Sequence, residues 1–210
     1  IRIPAGIAHV LLGERALWRF KTEADEKVQG RSIFWPRGRA LGGSSAVNGM
    51  IWVRGDPLEL DNWEALGNAG WGSKDILQLL KRMETYPLGD PAYRGKEGPM
   101  FITQYVDRDP LSNAFIQGAG GVGVPIVDDY NAERFEGVSY LQYNTKRGRR
   151  RHVADQYLLP AQTRSNLTIV TGAMTQRVLL EGKRVIGVEY KKSNEIKQIR
   201  ARREVILCAG

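Results

Sequence analysis

Apolar positions recur with more than one rhythm along the chain, and the rhythm predicts the elements. Ile7, Val10, Leu11 and Leu12 fall at loosely helical spacing and predict a short helix, followed by an extended connection through Trp18 and Phe20 into a polar stretch ending at Gly30. Arg31 to Pro36 is apolar enough for a short strand or a buried approach to the glycine-rich loop that follows. Ser44 or Ser45 can cap a short helix reaching Ile51. Asp56 and Pro57 give a cap and a first-position proline to a second helix that Gly67 closes, with Leu60, Trp63 and Leu66 as its buried stripe. Ser73 caps a third helix, Lys74 to about Thr85, whose Ile76, Leu77, Leu79, Leu80 and Met83 face inward before Pro87 and Gly89 stop it.

Beyond Pro87 the pattern changes. Met100 to Tyr105 and Val138 to Tyr143 alternate as strands do, and pairing them gives a sheet separate from the domain that holds the glycine loop. Asp109 and Pro110 open a helix through Ala114, Phe115 and Ile116. Gly118, Gly120, Gly121 and Gly123 then make a poor helix interior and predict early fraying. His152 to Arg164 reads as a helix that Pro160 kinks or ends. Five strands follow, over residues 167–171, 174–180, 185–190, 196–201 and 204–208, with turns at Glu181-Gly182-Lys183 and Ser193-Asn194. Three of them form a meander, and the last, apolar throughout, reads as a buried parallel strand of a larger sheet.

Composition narrows this picture only a little. The 210 residues suffice for one large domain or two small ones, and 42% hydrophobic residues furnish an ordinary core. The net charge of +8 is partly local, because Lys146, Arg147, Arg149, Arg150 and Arg151 cluster around Gly148. That run lacks interleaved aromatics and a recognition helix, so it reads as a solvated face or a phosphate-facing turn rather than a nucleic-acid site. Cys208 is the single cysteine; it excludes an internal disulfide, fits a reducing compartment, and in its apolar strand reads as small buried packing. His9 and His152 have no second ligand near them in sequence, and no metal site is expected. There is no run of about 18 apolar residues and no signal-like leader. The start at Ile1 and the abrupt end after a strand-like tail read as a piece of a longer chain.

The chemistry concentrates in Gly38-Arg39-Ala40-Leu41-Gly42-Gly43-Ser44-Ser45, with three glycines, two hydroxyls and an arginine in eight residues. Glycine has no Cβ to hold a ligand away from the backbone, and hydroxyls and helix-start amides donate to anionic oxygens. A tight solvated loop with a helix cap is the alternative for such a cluster taken alone.

The longer segment decides between them. Gly38 to Asn48, followed by Trp52, Gly55 and Asp61, resembles the first signature of the glucose–methanol–choline (GMC) flavin oxidoreductases, most like the choline-dehydrogenase and alcohol-dehydrogenase branch. The resemblance extends to Ile3-Pro4-Ala5-Gly6, Thr22-Glu23, Asp61-Asn62-Trp63, Gly70-Trp71, Tyr93-Arg94-Gly95, Gly98-Pro99, Asn166-Leu167, Gly187 to Tyr190 and Glu204 to Gly210, and so spans nearly the whole chain. It implies a mixed α/β fold: a partial Rossmann-like FAD-binding domain over residues 1–75 and 151–210, and an antiparallel-sheet substrate domain over 76–150.

It also implies residue roles. Arg39, Ala40, Gly42, Gly43 and Ser44 match the loop along the FAD pyrophosphate and ribitol. Asn48, Gly49, Met50 and Ile51 match the segment beside the isoalloxazine, where Asn48 bonds the flavin's polar edge or merely bridges a turn. Thr175 matches a position that reads the adenine edge, or is only a strand residue, and Cys208, Ala209 and Gly210 match a strand end near ribose and phosphates. Some relatives tether FAD through a histidine where this chain has Val47, so the resemblance implies non-covalent flavin. The glycine-rich dinucleotide turn matches a region before Ile1, and the catalytic histidine and its partner a region after Gly210. No catalytic residue is therefore expected in this chain, and the chain alone is expected to be inactive. The implied activity is oxidation of a primary alcohol, choline-like or aliphatic, to an aldehyde by hydride transfer to flavin N5. A small-molecule alcohol is the expected partner, with an unknown electron acceptor and no nucleic acid. The setting is cytoplasmic or peripheral at the inner membrane. The reading from a different class is an inactive product that acts as a binding module through Arg147 to Arg151.

Overall fold

A computed structural model describes residues 2–13 and 15–209, which fall into two compact units, Ile1–Ala161 and Gln162–Gly210. The first unit opens with α1 (Ile7–Leu12), whose Ile7 and Val10 pack on Leu17, Ala46 and Val47. β1 (Leu17–Lys21) and β2 (Phe34–Gly38) pair antiparallel, with Trp18 opposite Arg37 and Phe20 opposite Trp35. The strand expected around Phe34 is present, but Phe34 and Trp35 are exposed, so the approach to the glycine loop is not buried.

α2 (Pro57–Ala65) begins as its cap predicts, with Asp56 accepting from the Leu58 amide, and Gly67 follows it at φ +99°. Its expected buried stripe is not buried: Leu60 is half-covered, while Trp63 and Leu66 are exposed. Trp63 instead meets the ring of Trp71 at 5.7 Å. α3 (Ser73–Met83) is capped by Gly72 rather than Ser73, whose amide donates to Asp61 Oδ1. Ile76, Leu77 and Leu80 are partly buried, but Leu79 and Met83 are exposed. The helix ends two residues before Thr85 because β3 (Glu84–Thr85) pairs in parallel with β4 (Met100–Phe101).

The alternating segment from Met100 is split into β4 and β5 (Thr103–Gln104), and β5 pairs antiparallel with β6 (Gln142–Tyr143), the pairing the alternation predicts. β6 also bonds on its other side to the chain that leaves the glycine loop. The Trp52 amide donates to the Gln142 carbonyl, and the Asn144 amide donates to the Met50 carbonyl. The loop and this sheet thus share hydrogen bonds within one unit.

α4 (Pro110–Gly121), capped by Asp109, does not fray at its glycines. Its Gly120 lies against Ile126, where a Cβ would stand 2.8 Å from Cδ1, so tertiary packing overrides the low propensity. β7 (Thr145–Lys146) and β8 (Arg149–Arg150) form a tight hairpin whose two turn residues, Arg147 and Gly148, have φ of +52° and +68°. The helix after it is shorter than the span 152–164: a π turn over Ala154–Leu158 leads into α5 (Leu159–Ala161), where Pro160 has no N–H to return to the carbonyl four residues earlier, and the helix ends one residue beyond it.

In the second unit β9 (Met174–Glu181), β10 (Arg184–Lys192) and β11 (Glu195–Arg200) form the expected antiparallel meander. Gly182, Ser193 and Asn194 turn it with positive φ. Two expected strands are absent. Residues 167–171 and 204–208 form no ladder, and in the second segment Ile206 is 75% and Leu207 73% exposed. A parallel strand exists only through its neighbours, and no described residue pairs with this one. Cys208 is accordingly exposed rather than buried packing.

Candidate functional site

The glycine loop hangs between β2 and the chain that joins β6. Gly42 at φ +90° and Gly43 at φ +53° reverse the chain into a 3-10 turn over Gly43–Ala46. No serine caps a helix here, and Asn48 to Ile51 is not helical. The Gly38 amide donates to Ser44 Oγ at 3.0 Å, while Ser45 Oγ donates to the Gly42 carbonyl at 2.5 Å and accepts from the Val153 amide at 3.1 Å. Glycine is required twice over at position 42, because a Cβ would also stand 2.8 Å from His152 Nδ1.

Two buried polar groups back this loop. Arg150, 1% exposed, reaches it from β8: Nη1 donates to Asn48 Oδ1 at 2.7 Å and to the Ser45 carbonyl at 3.1 Å, and Nη2 donates to the Asn48 carbonyl at 2.7 Å. Burial lowers the Arg150 pKa from its ordinary value. Met50, buried and held at φ +64°, donates its amide to Asn48 Oδ1 at 3.1 Å. That backbone strain, about 1 kcal/mol, is held by the surrounding bonds.

The second group is a buried cluster of two arginines and two carboxylates. Arg94 donates from Nε to Glu84 Oε1 at 2.7 Å and from Nη1 to Asp129 Oδ1 at 2.6 Å, and Arg54 Nη2 lies 2.8 Å from Glu84 Oε1. Burial opposes the charge on Arg94, but its bonds to Glu84 and the charges of Glu84 and Asp129 hold its pKa above the ordinary value. For Arg54 burial prevails and the pKa falls. Gln142 and Asn131 complete the cluster, and Tyr130 Oη and Asn131 Nδ2 both donate to the Trp52 carbonyl at 2.9 Å. The stretch from Asn48 to Arg54 is therefore fixed from behind along its whole length.

Its outer side is open. Arg39, Ala40, Ser44, Asn48, Gly49 and Ile51 are exposed, and no atom stands within 4 Å of where a Cβ on Gly43 or Gly49 would project. Ser44 Oγ accepts from Gly38 and keeps its own proton to donate, and among the described residues nothing accepts from Asn48 Nδ2. Arg39 stacks on Trp18, its guanidinium 4.5 Å from the ring centroid. Val47 turns the other way, 8% exposed in the core with Leu17 and Ala46. These features fit the cofactor that the resemblance implies, a flat molecule with phosphate and carbonyl oxygens: a surface free of Cβ atoms, flanked by donors.

The structure thus brings Arg39 to Ile51 together on one stretch of the first unit. Thr175 lies exposed on β9, opposite Tyr190, and Cys208 and Ala209 are exposed in the unpaired tail of the second unit. Gly210 lies outside the described residues. The basic run divides: Lys146, Arg147 and Arg149 face solvent while Arg150 turns inward. His152 is bound through Nε2 to Asp155 Oδ2 at 3.1 Å, and His9 is exposed on α1. Sequence reasoning missed Arg150, Glu84 and Asp129. Arg150 was hidden among four other cations, and Glu84 could be suspected only as a lone acid closing an amphipathic helix. Among the described residues no cluster of His, Cys, Asp or Glu is placed to hold a metal ion.

The profile of the GMC oxidoreductases matches residues 16–210. The chain belongs to the GMC oxidoreductase family. It is 39% identical over 210 residues to the oxygen-dependent choline dehydrogenase of Brucella melitensis, covering 100% of this chain and 38% of that protein. It is 36% identical over 212 residues to the enzyme of the same name in Vibrio vulnificus, covering 100% of this chain and 38% of that protein. The chain thus spans well under half the length of these relatives. Among solved structures, pyridoxine 4-oxidase from Mesorbium loti superposes with a TM-score of 0.88 at 32% identity, covering 95% of this chain and 40% of that one. An FAD-dependent oxidoreductase from Chaetomium thermophilum gives 0.81 at 25% identity, covering 89% and 35%. The mixed helix-and-sheet fold is that of this GMC family.

Proposed function

We propose that this chain serves FAD-dependent oxidation of a primary alcohol, choline-like or aliphatic, to an aldehyde, and that Arg39 to Ile51 form one wall of its cofactor site. One observation carries the reading most directly: Ser44 and Asn48 hold outward donors beside the Cβ-free surfaces of Gly43 and Gly49, on a stretch fixed from behind by buried groups. Family membership, and relatives named choline dehydrogenase and pyridoxine 4-oxidase, support the alcohol class. FAD, when bound, supplies the acceptor for the hydride that leaves the alcohol carbon.

The chain's own part is to bind and orient. Gly42 and Gly43 let backbone approach phosphate oxygens, Ser44 and Arg39 offer donor and charge, and Asn48 donates to an acceptor on the flavin. Val47, turned into the core, offers no tether, which supports non-covalent binding. The assignment of Thr175, Cys208, Ala209 and Gly210 to the same cofactor rests on resemblance, as does the division into FAD-binding residues 1–75 and 151–210 and substrate-binding residues 76–150. A cytoplasmic or peripheral inner-membrane setting rests on resemblance too; no described helix is long and apolar enough to cross a membrane. The test is direct: purified chain mixed with FAD and passed through a desalting column should carry a flavin absorption spectrum. Colourless protein that leaves added FAD in the salt fraction overturns the reading.

A further inference from the structure

Arg150 is a buried cation that no carboxylate pairs with among the described residues; every bond its guanidinium makes goes to Ser45 and Asn48. We propose that Arg150 is a positioning residue of the cofactor site, which fixes Asn48 as a hydrogen-bond donor toward the bound flavin. This inference rests on the FAD reading of the loop.

The argument is one of hydrogen-bond identity. Asn48 Oδ1 receives Arg150 Nη1 at 2.7 Å and the Met50 amide at 3.1 Å. Both partners can only donate, so the atom they meet must be the amide oxygen, and the side chain cannot flip. The NH2 end is thereby left on the other side, where Asn48 is exposed. Arg150 also draws the main-chain carbonyls of Ser45 and Asn48 toward itself. Three acceptors turned inward leave donors to dominate the outer face, which suits a ligand edge made of carbonyl and ring-nitrogen acceptors. Only a planar fork meets these three oxygens at once; a lysine ammonium in the same place is a point charge on a flexible stem. The fork is aimed by the β7–β8 hairpin, whose turn is fixed by the positive φ of Arg147 and Gly148.

The test compares N48D, N48A, R150K, R150M and N48A/R150M in the whole chain, reading the FAD dissociation constant and flavin spectrum by titration and thermal unfolding without FAD. N48D keeps an acceptor for both Arg150 and Met50, so it should unfold no lower than wild type. Having lost its N–H, it should bind FAD about tenfold more weakly, about 1.4 kcal/mol, with a shifted flavin band. R150M should weaken FAD binding about as much as N48A, the double variant no further, and R150K should fall between R150M and wild type. N48D binding FAD as tightly as wild type overturns the donor role, even if R150M fails to fold. Additive losses for R150M and N48A show that Arg150 only supports the fold and overturn the positioning role. Wild-type chain that leaves FAD unbound overturns the cofactor reading, and this inference falls with it.

Discussion

The indole Nε1 of Trp52 donates to Glu84 Oε2 at 2.6 Å, which ties the segment leaving the glycine loop to the buried pair of arginines and carboxylates. Glu84 is 0% exposed and answers Arg94 and Arg54 at once. E84Q leaves two buried guanidiniums facing one remaining carboxylate, Asp129. It should cost about 3–5 kcal/mol of stability, whereas W52F, which removes one donor, should cost about 1–3 kcal/mol. Urea unfolding measures both; equal stabilities for E84Q and wild type would show that the cluster is not charge-coupled.

Gly42 and Gly43 should separate folding from binding. G42A combines φ +90° with a Cβ 2.8 Å from His152 Nδ1 and should destabilise by more than the roughly 1–2 kcal/mol of backbone strain alone. G43A meets open space and should cost only about that strain, yet place a methyl group on the proposed cofactor surface. In paired measurements of melting temperature and FAD affinity, G42A should lose more stability and G43A more binding than its stability loss explains.

His152 should make the chain acid-sensitive. Burial pushes its imidazole pKa down, against the opposing pull of Asp155 and with help from Arg2 and Arg150. Below its unfolded pKa of about 6.5 the unfolded chain takes up a proton more readily than the folded chain, so stability falls as pH falls. H152Q removes this contribution. The melting-temperature difference, wild type minus H152Q, should shrink as pH drops from above 6.5 and level off below the folded pKa; a difference constant across that range would contradict the assignment.

α4 offers a test of packing against propensity. At Gly118 a Cβ meets nothing within 4 Å, so G118A should raise stability by about 1 kcal/mol. G120A gains the same propensity but must displace Ile126 Cδ1, and thermal unfolding should place it below G118A.

Local elements were legible wherever local chemistry decides them. The Asp56-Pro57 and Asp109-Pro110 helix starts, the turns at Gly182 and Ser193-Asn194, and the three-strand meander all follow from caps, dihedral preferences and alternation within a few residues. Burial was less legible. Trp63 and Leu66 have the spacing of a core stripe, but periodicity states which residues share a face and not whether anything covers it. The tail at 204–208 shows the same limit, since its apolar run needs parallel neighbours that the described residues do not supply.

By itself the sequence determined the family and the loop, because the glycines, hydroxyls and Asn48 lie within eleven residues and their spacing is covalent. Only the tertiary structure decided which way that loop is held. Arg150 comes from a hairpin 102 residues away in sequence, and Glu84 is set down at a helix end where Arg54, Arg94 and Trp52 converge. A buried charge is recognisable by its partners, and those partners are brought together by the fold rather than by the order of the chain.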